Sequence, residues 1–316
     1  MRTVLRCVPV FLTTMAIAFA QPGAERNTPQ IGAMKVQGNV YLIYGAGPNI
    51  TMQVGDQAVV LVDAGPVELS DRVRAAIRSV TNKRIGYIIQ TSPDASRTSG
   101  TAKLAEGGFF MLESANESRS QASVVAHLNV LDRMSAKDSG VPMAIWPTDT
   151  YDGMGWKLYA NDEPLIIEHV PSAHTDGDSI VFFRRSDVVS TGDIFDMTRY
   201  PMIDSARGGS LQGILGALNH ILKDITVAKE NEQGGTMVIP GHGRICDRND
   251  LANYRDMLTI IRDRIADLVK KGKTLEQVKA ARPSFDYDGG YGADSGPWTT
   301  SMFIETVYRE LIKKGK

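Results

Sequence analysis

The chain has 316 residues, of which 42% are hydrophobic and 22% are charged. These proportions are ordinary for a soluble globular protein, and the length is enough for one large core or two layered halves. The 35 lysines and arginines stand against 36 acidic residues, which gives a net charge of −1. This composition excludes extensive disorder, and it lacks the basic excess that a nucleic-acid partner favours.

The first 20 residues have the pattern of a secretory signal peptide. Arg2 and Arg6 precede an apolar run from Val8 to Ala18, and Ala18-Phe19-Ala20 forms a small-residue cleavage site. The run is too short for a stable membrane span, although a retained anchor is the alternative. We therefore expect an exported protein, periplasmic or extracellular, with no stable span after cleavage. Cleavage leaves 33 basic and 36 acidic residues, a net charge of −3, and Cys246 as the one remaining cysteine, so no internal disulfide is expected.

The first part of the chain predicts a sheet with a covering helix. β-prone runs between Met34 and Asp63 are separated by turn residues and predict an antiparallel meander. The segment from Pro66 to Val80 places apolar residues three and four positions apart, which is typical of an amphipathic helix. A strand from Ile85 to Gln90 then leads into the loop from Thr91 to Gly100.

The rest of the chain predicts a second block of strands and helices. Helices are predicted over 101–106, 121–134, 211–225, 251–269 and 302–312, and strands over 155–159, 165–169, 179–183, 188–191 and 236–239. Two successive strand-then-helix blocks indicate an α/β domain with sheets covered by helices. No linker is long enough to divide the chain, so residues 33–316 are expected to form one domain that includes the C-terminal helices.

The loop from Thr91 to Gly100 has the frame of a metal-binding motif without its histidines. It resembles the metallo-β-lactamase superfamily, whose first motif usually reads Thr-His-x-His-x-Asp-His-x-x-Gly. Ser92 and Asp94 stand in place of the first two histidines, and Ser96 and Arg97 in place of the aspartate and the last histidine. The resemblance extends over roughly residues 36–311 and implies a four-layer αββα sandwich with the site along the edge between two sheets.

The later motifs of that superfamily are retained. His174 lies in Ala-His-Thr-Asp-Gly-Asp, Asp193 in Thr-Gly-Asp and His242 in Pro-Gly-His-Gly. By resemblance, His174 and Asp193 are metal ligands and His242 belongs to the catalytic centre. Asp63 matches an acidic residue at the end of an early strand that is usually structural.

Ligand chemistry decides how many metal ions these residues could hold. Zinc in a catalytic site takes three protein ligands and an open position for water. Asp94, His174 and Asp193 remain as three donors by resemblance, so one zinc ion is possible. The second metal would draw on positions 96 and 97, where serine is a poor ligand and arginine is a permanent cation, so we expect no second metal.

Several residues keep two interpretations. Arg97 could pair with Asp193 or hold an anionic substrate group as a catalytic residue. Asp94 could be a ligand or a loop-capping carboxylate. Ser210, after Gly208-Gly209, could cap a helix or help to form an anion site at the helix N-terminus, and Cys246 could be a soft ligand or an inert buried thiol.

The remaining histidines are expected to lie outside the site. His127 and His220 are interpreted as packing or surface residues, and His169 ends a strand from which it could approach the site.

Two classes of function follow. The first is an exported hydrolase with one zinc ion, acting on an ester, thioester or lactam while Arg97 orients an anion. The second is a catalytically inactive pseudoenzyme that serves as a periplasmic binding module for a small molecule. A nuclease, found elsewhere in the superfamily, fits poorly with the acidic charge of the mature chain.

Overall fold

The structure is a computed structural model that describes residues 30–109, 120–228 and 234–314. The predicted signal peptide lies outside the described residues. Seven strands form the first sheet in chain order. They are β1 Gly32–Gln37, β2 Val40–Tyr44, β3 Ile50–Val54, β4 Val59–Val62, β5 Ile85–Ile89, β6 Ser123–His127 and β7 Asp149–Tyr151. Strands β1 to β4 pair antiparallel as a meander, and β4 to β7 pair parallel.

Five strands form the second sheet in the order β12-β11-β10-β9-β8. They are β8 Gly155–Ala160, β9 Glu163–His169, β10 Ser179–Phe183, β11 Val188–Ser190 and β12 Met237–Ile239. Only the β11–β12 pair is parallel in this sheet. The carboxyl ends of β11 and β12 therefore point to the same edge.

The described helices cover the outer faces of the two sheets. They are α1 Ser70–Val80, α2 Ala95–Thr98, α3 Thr101–Ala105, α4 Leu128–Ser135, α5 Leu211–His220, α6 Arg248–Lys270, α7 Leu275–Ala280, α8 Asp288–Tyr291 and α9 Thr300–Lys314. Side chains of α1 and α3 pack on the outer face of the first sheet, and side chains of α5, α6 and α9 pack on the second sheet. The predicted αββα sandwich is therefore confirmed.

Strand β4 shows how the sequence builds these layers. Val59 and Leu61 pack toward α1, whereas Val60 and Val62 pack into the apolar layer between the two sheets. Successive side chains of a strand point to opposite faces, so a strand buried on both faces needs apolar residues throughout. A continuous apolar run here specifies a central strand.

One predicted helix was wrong. The segment 121–134 was expected to be helical, but its first half is the buried strand β6 and only its second half forms α4. The β-branched pair Val124 and Val125 favours a strand, and parallel pairing with β5 determines the outcome. Strand β7 and helix α7 were not predicted. The predicted helix 211–225 ends as a π-helical turn over Ile221–Ile225. Within the described ranges, no helix is both long and apolar enough to cross a membrane.

Candidate functional site

The candidate site lies where strands of both sheets end. Asp63 follows β4, the loop from Thr91 follows β5, and Asp193 follows β11. Asp63 has a φ of 66°, a left-handed conformation that turns the chain sharply at the end of β4. The N–H of Ser179, at the start of β10, donates to the Thr91 carbonyl at 2.9 Å, which joins the two sheets beside the site.

Arg97 lies at the centre of the site and is buried, with 1% of its surface exposed. Its Nε and Nη2 donate to the two carboxylate oxygens of Asp193 at 2.5 and 2.6 Å, and its Nη1 donates to Asp63 at 2.9 Å. The expected pairing with Asp193 is thus present. The expectation that Arg97 orients a substrate anion is not supported, because its guanidinium is enclosed and directed at two carboxylates of the protein.

These contacts change the proton affinity of both carboxyl groups. Burial alone would raise the pKa of Asp193, but Arg97 and His174 hold it well below its usual range. Burial raises the pKa of Asp63, and this effect is opposed by Arg97 and by hydrogen bonds from Thr91. The N–H and hydroxyl of Thr91 both donate to Asp63, which makes Asp63 the support for Arg97 and for the loop. Its expected structural role fits this geometry.

Asp94 turns its carboxylate into the site. It precedes α2, but its side chain makes no capping hydrogen bond, so the capping interpretation was wrong. Its Oδ2 lies 2.7 Å from Nε2 of His174, and its Oδ1 accepts from Nη2 of Arg207 at 2.6 Å. Burial raises the pKa of Asp94, but the hydrogen bond and the charge of His174 outweigh it and leave the pKa lowered.

His174 is fully buried, and both of its ring nitrogens face acceptors. Nδ1 lies 2.8 Å from the Met202 carbonyl, which can only accept, and Nε2 faces the Asp94 carboxylate. Both nitrogens must therefore carry protons, which makes the ring a cation. Burial opposes this charge, yet Asp94 and Asp193 raise the pKa of His174 to about 10.

Arg207 was not identified from the sequence. It ends a 3₁₀ turn at Ser205–Arg207, where Asp204 caps the turn and accepts from Arg207 Nε at 2.7 Å. No motif marks it, because the turn reaches Asp94 only through the tertiary fold. The local pattern Asp-x-x-Arg-Gly predicts a capped turn and nothing about the site.

The described residues contain one group suited to hold a metal ion, and it consists of Asp94, His174 and Asp193. Their ligand atoms all lie within 4.8 Å of one another. The residue types suit zinc. In this structure each donor is already paired: Asp193 with Arg97, and Asp94 and His174 with each other.

A second metal position does not fit. Arg97 occupies the place where a second ion would share Asp193, and Ser96 is exposed at the surface. A Cβ added at Gly241 would touch Arg97 Nη2 and the Gly192 carbonyl, so the guanidinium fills this space up to the neighbouring backbone. Ser92 is buried, and its hydroxyl lies 3.4 Å from Asp193.

His242 lies beside this network and outside the group of possible metal ligands. It is half-buried, and burial together with Arg97 and Arg199 lowers its pKa although Asp196 raises it. The ring is therefore neutral near pH 7. Among the described residues, no hydrogen-bond partner is found for either ring nitrogen.

The other candidates have structural environments. Burial raises the pKa of Cys246 to about 12, which fits an inert thiol. Ser210 accepts from the Gly213 N–H at 2.9 Å and caps α5, as one interpretation predicted. His220 is exposed between Glu168 and Asp224.

His127 was expected to lie within a helix, but it is the last residue of β6, where it is buried and stacks on His169.

Solved structures of similar shape were found, whereas no protein-family model and no curated protein matches the sequence. The sec-alkylsulfatase Pisa1 from Pseudomonas sp. has a TM-score of 0.64 and 15% identity over 89% of this chain and 50% of its own. A metallo-β-lactamase from Pontibacter korlensis has a TM-score of 0.56 and 13% identity over 73% of this chain and 99% of its own. The DIM-1 metallo-β-lactamase has a TM-score of 0.55 and 17% identity over 73% and 98%.

The chain therefore has the metallo-β-lactamase fold, as its motifs predicted. It spans about half the length of the alkylsulfatase. Identities of this size establish the shared fold, while chemistry depends on the residues of the site.

Proposed function

We propose that the protein is a small-molecule binding protein with the metallo-β-lactamase fold, in which salt bridges take the place of a two-metal centre. One observation carries the proposal: the three possible metal ligands and the buried Arg97 are each paired with an opposite charge of the protein. The pairs are Arg97 with Asp63 and Asp193, Asp94 with His174 and Arg207, and Arg207 with Asp204. A two-metal mechanism conflicts with this pairing, because Arg97 holds both oxygens of the bridging carboxylate.

His242 and Arg207 are the groups that could contact a ligand. His242 presents a neutral ring that can donate and accept one hydrogen bond. Arg207 is 30% exposed, against 14% for Asp94 and 17% for Asp193. The cation therefore faces the solvent more than the carboxylates do. These groups bind and orient a molecule without any change to the buried pairs.

A hydrolase with one zinc ion is the second candidate, and the group of Asp94, His174 and Asp193 favours it. A bound zinc ion would supply a water of lowered pKa and polarise the carbonyl of an ester, thioester or lactam. His174 would first have to release its Nε2 proton, and Asp193 would have to be shared with Arg97. The likeness to an alkylsulfatase and to β-lactamases supports this candidate at the level of the fold.

We also propose that the protein is exported to the periplasm or beyond. The support is the sequence pattern of the first 20 residues, with its basic start, apolar run and small-residue cleavage site.

Metal content separates the two candidates. The full mature chain is purified without chelator, its zinc is measured by mass spectrometry, and its melting temperature is recorded with and without added zinc. The same measurements are made on Asp94→Ala and His174→Ala. His220→Ala is the matched control, because it removes a histidine that pairs with carboxylates on the surface away from the site.

A metal-free protein whose melting temperature ignores zinc is the expected result. Near-stoichiometric zinc that is lost from Asp94→Ala and His174→Ala but kept in His220→Ala would overturn the binding-protein proposal in favour of the one-zinc hydrolase. Two zinc ions per chain would contradict both candidates.

A further inference from the structure

Two imidazole rings form a contact between the sheets beside the candidate site. His127 ends β6 in the first sheet, and His169 ends β9 in the second. Their ring centroids are 3.6 Å apart with an angle of 6° between the planes. Tyr151 meets the edge of His127 at 5.2 Å, and its hydroxyl lies 2.7 Å from that of Ser179 in the second sheet. The stack and the contact of Tyr151 with Ser179 thus both join the sheets at this edge.

The hydrogen bonds of both rings fit the neutral form. Nδ1 of His127 accepts from the Asn129 N–H at 3.2 Å and so carries no proton. Nδ1 of His169 lies 3.0 Å from the Asp178 carbonyl and must donate, as it does in the neutral tautomer with an unprotonated Nε2. A proton added to Nδ1 of His127 would face the Asn129 N–H and break that bond. Protonation of both rings would place two positive charges in face-to-face contact.

The bond from Asn129 is the N-terminal cap of α4. An N-cap satisfies an N–H group that has no partner within the helix, and its loss releases the first turn. His127 is therefore the residue that holds the start of α4 in place.

Helix α4 in turn holds the loop that carries His174. Asn129 Nδ2 donates to the Asp176 carbonyl at 2.7 Å, and Arg133 Nη2 pairs with the Asp176 carboxylate at 2.6 Å. Asp176 follows His174 by two residues, and its N–H donates to the Arg207 carbonyl at 2.8 Å. A change at the start of α4 is therefore transmitted to both partners of Asp94.

We propose that the stacked pair of His127 and His169 is a pH-sensitive contact that holds α4, and through Asp176 the loop of His174, only while both rings are neutral. The proposal is independent of the function proposed above, because neither ring belongs to the possible metal ligands. Acidification would protonate the pair, release the cap of α4 and loosen the loop.

Nearby carboxylates and burial act on the pKa values of the pair in opposite directions. The acidic groups facing His127 are Asp132 in α4, Asp152 after β7 and Asp176 in the loop, and Asp176 also faces His169. These carboxylates favour protonation. Burial opposes it and lowers the pKa of both rings, and His127 lowers that of His169 further.

Amide hydrogen exchange of the full chain tests the proposal. Protection factors are compared at pH 7.5 and pH 5.0, each corrected for the intrinsic exchange rate at that pH. We expect the Asn129 amide and the first turn of α4 to lose protection by about tenfold or more, since one coupled proton allows up to about tenfold per pH unit. The amides of α6 should keep theirs.

Two variants identify the titrating groups. His127→Asn keeps a side-chain oxygen that can cap α4 but cannot titrate, so the acid-dependent loss should disappear. His169→Phe keeps an aromatic ring against His127 without a second charge, so the loss should shift to lower pH. His220→Gln, which removes a surface histidine, should behave like the wild type.

An equal loss of protection in His127→Asn would overturn the proposal. Histidine side-chain NMR of the wild type provides a measurement that needs no variant. If His127 and His169 both titrate near pH 6.5 with α4 still protected, the stack does not hold the helix and the proposal fails.

Discussion

Replacement of Arg97 by methionine is the sharpest test of the charge network. The change removes three hydrogen bonds and leaves the carboxylates of Asp63 and Asp193 buried without their cation. Removal of one partner of a buried ion pair costs about 3–5 kcal/mol, because the remaining charge stays in a poorly solvated position. Since domains unfold with about 5–15 kcal/mol, we expect Arg97→Met to lose about a fifth or more of the total stability.

Chemical denaturation in urea measures this loss at pH 7. Arg309→Met is the matched control, because it breaks an ion pair with Glu305 on an exposed face of α9 and should cost about 1 kcal/mol or less. In the double variant Arg97→Met with Asp193→Asn, we expect part of the lost stability to return, since one buried charge is gone.

The loss should depend on pH with a definite sign. Arg97 holds the pKa of Asp193 below its usual range, so their pairing stabilises the fold above the unfolded pKa of about 3.9 and does so less as pH falls below it. The difference between wild type and Arg97→Met should therefore be larger at pH 7 than at about pH 2.5. A loss below about 1 kcal/mol at pH 7 would refute the reasoning, because the buried carboxylates would then need no cation.

Three further changes probe the packing of the site, of α5 and of the contact between the two sheets. Gly241→Ala should lose about 1–3 kcal/mol in urea denaturation, because the added methyl group would meet Arg97; an unchanged midpoint would contradict the close packing. Ser210→Ala should lose about 1 kcal/mol through the missing cap of α5, and Ser210→Gly should lose less. Glu163→Ala should lower the melting temperature and reduce the free energy of unfolding by about 1–3 kcal/mol. Its carboxylate is buried and accepts from Gln53 Nε2 at 2.7 Å across the two sheets. A reduction no larger than that for an exposed glutamate would show that this hydrogen bond does not stabilise the sheet contact.

Much of the fold followed from short-range patterns. Turn residues and alternating or continuous apolar runs identified the strands of the meander and the amphipathic face of α1. The prediction for segment 121–134 failed because the short apolar run Val124-Val125-Ala126 fits a buried helix and a buried strand equally well. Parallel pairing with β5, a contact between distant residues, decided the matter for Val124 and Val125.

The candidate site also depends on contacts between distant residues that the sequence does not reveal. Motifs identified Asp94, His174 and Asp193, which the fold brings together. Arg207 had no signal, since its contact with Asp94 depends on the path of a loop. The sequence could not separate the two interpretations of Arg97. Whether its guanidinium pairs with a carboxylate of the protein or with a substrate depends on burial, which the packing of distant residues such as Gly241 determines.

The pairing of charges explains how carboxylates can be clustered at this site without a metal ion to neutralise them. Carboxylates clustered at strand ends repel one another, and in low dielectric this repulsion is strong. Three cations of the protein, Arg97, His174 and Arg207, lie against four carboxylates here, of Asp63, Asp94, Asp193 and Asp204. Each cation bonds carboxylates with defined geometry, so the network fixes the loops as a metal ion would. A metal ion entering at His174 must displace a proton that Asp94 holds there, and affinity for zinc in this position should therefore rise with pH.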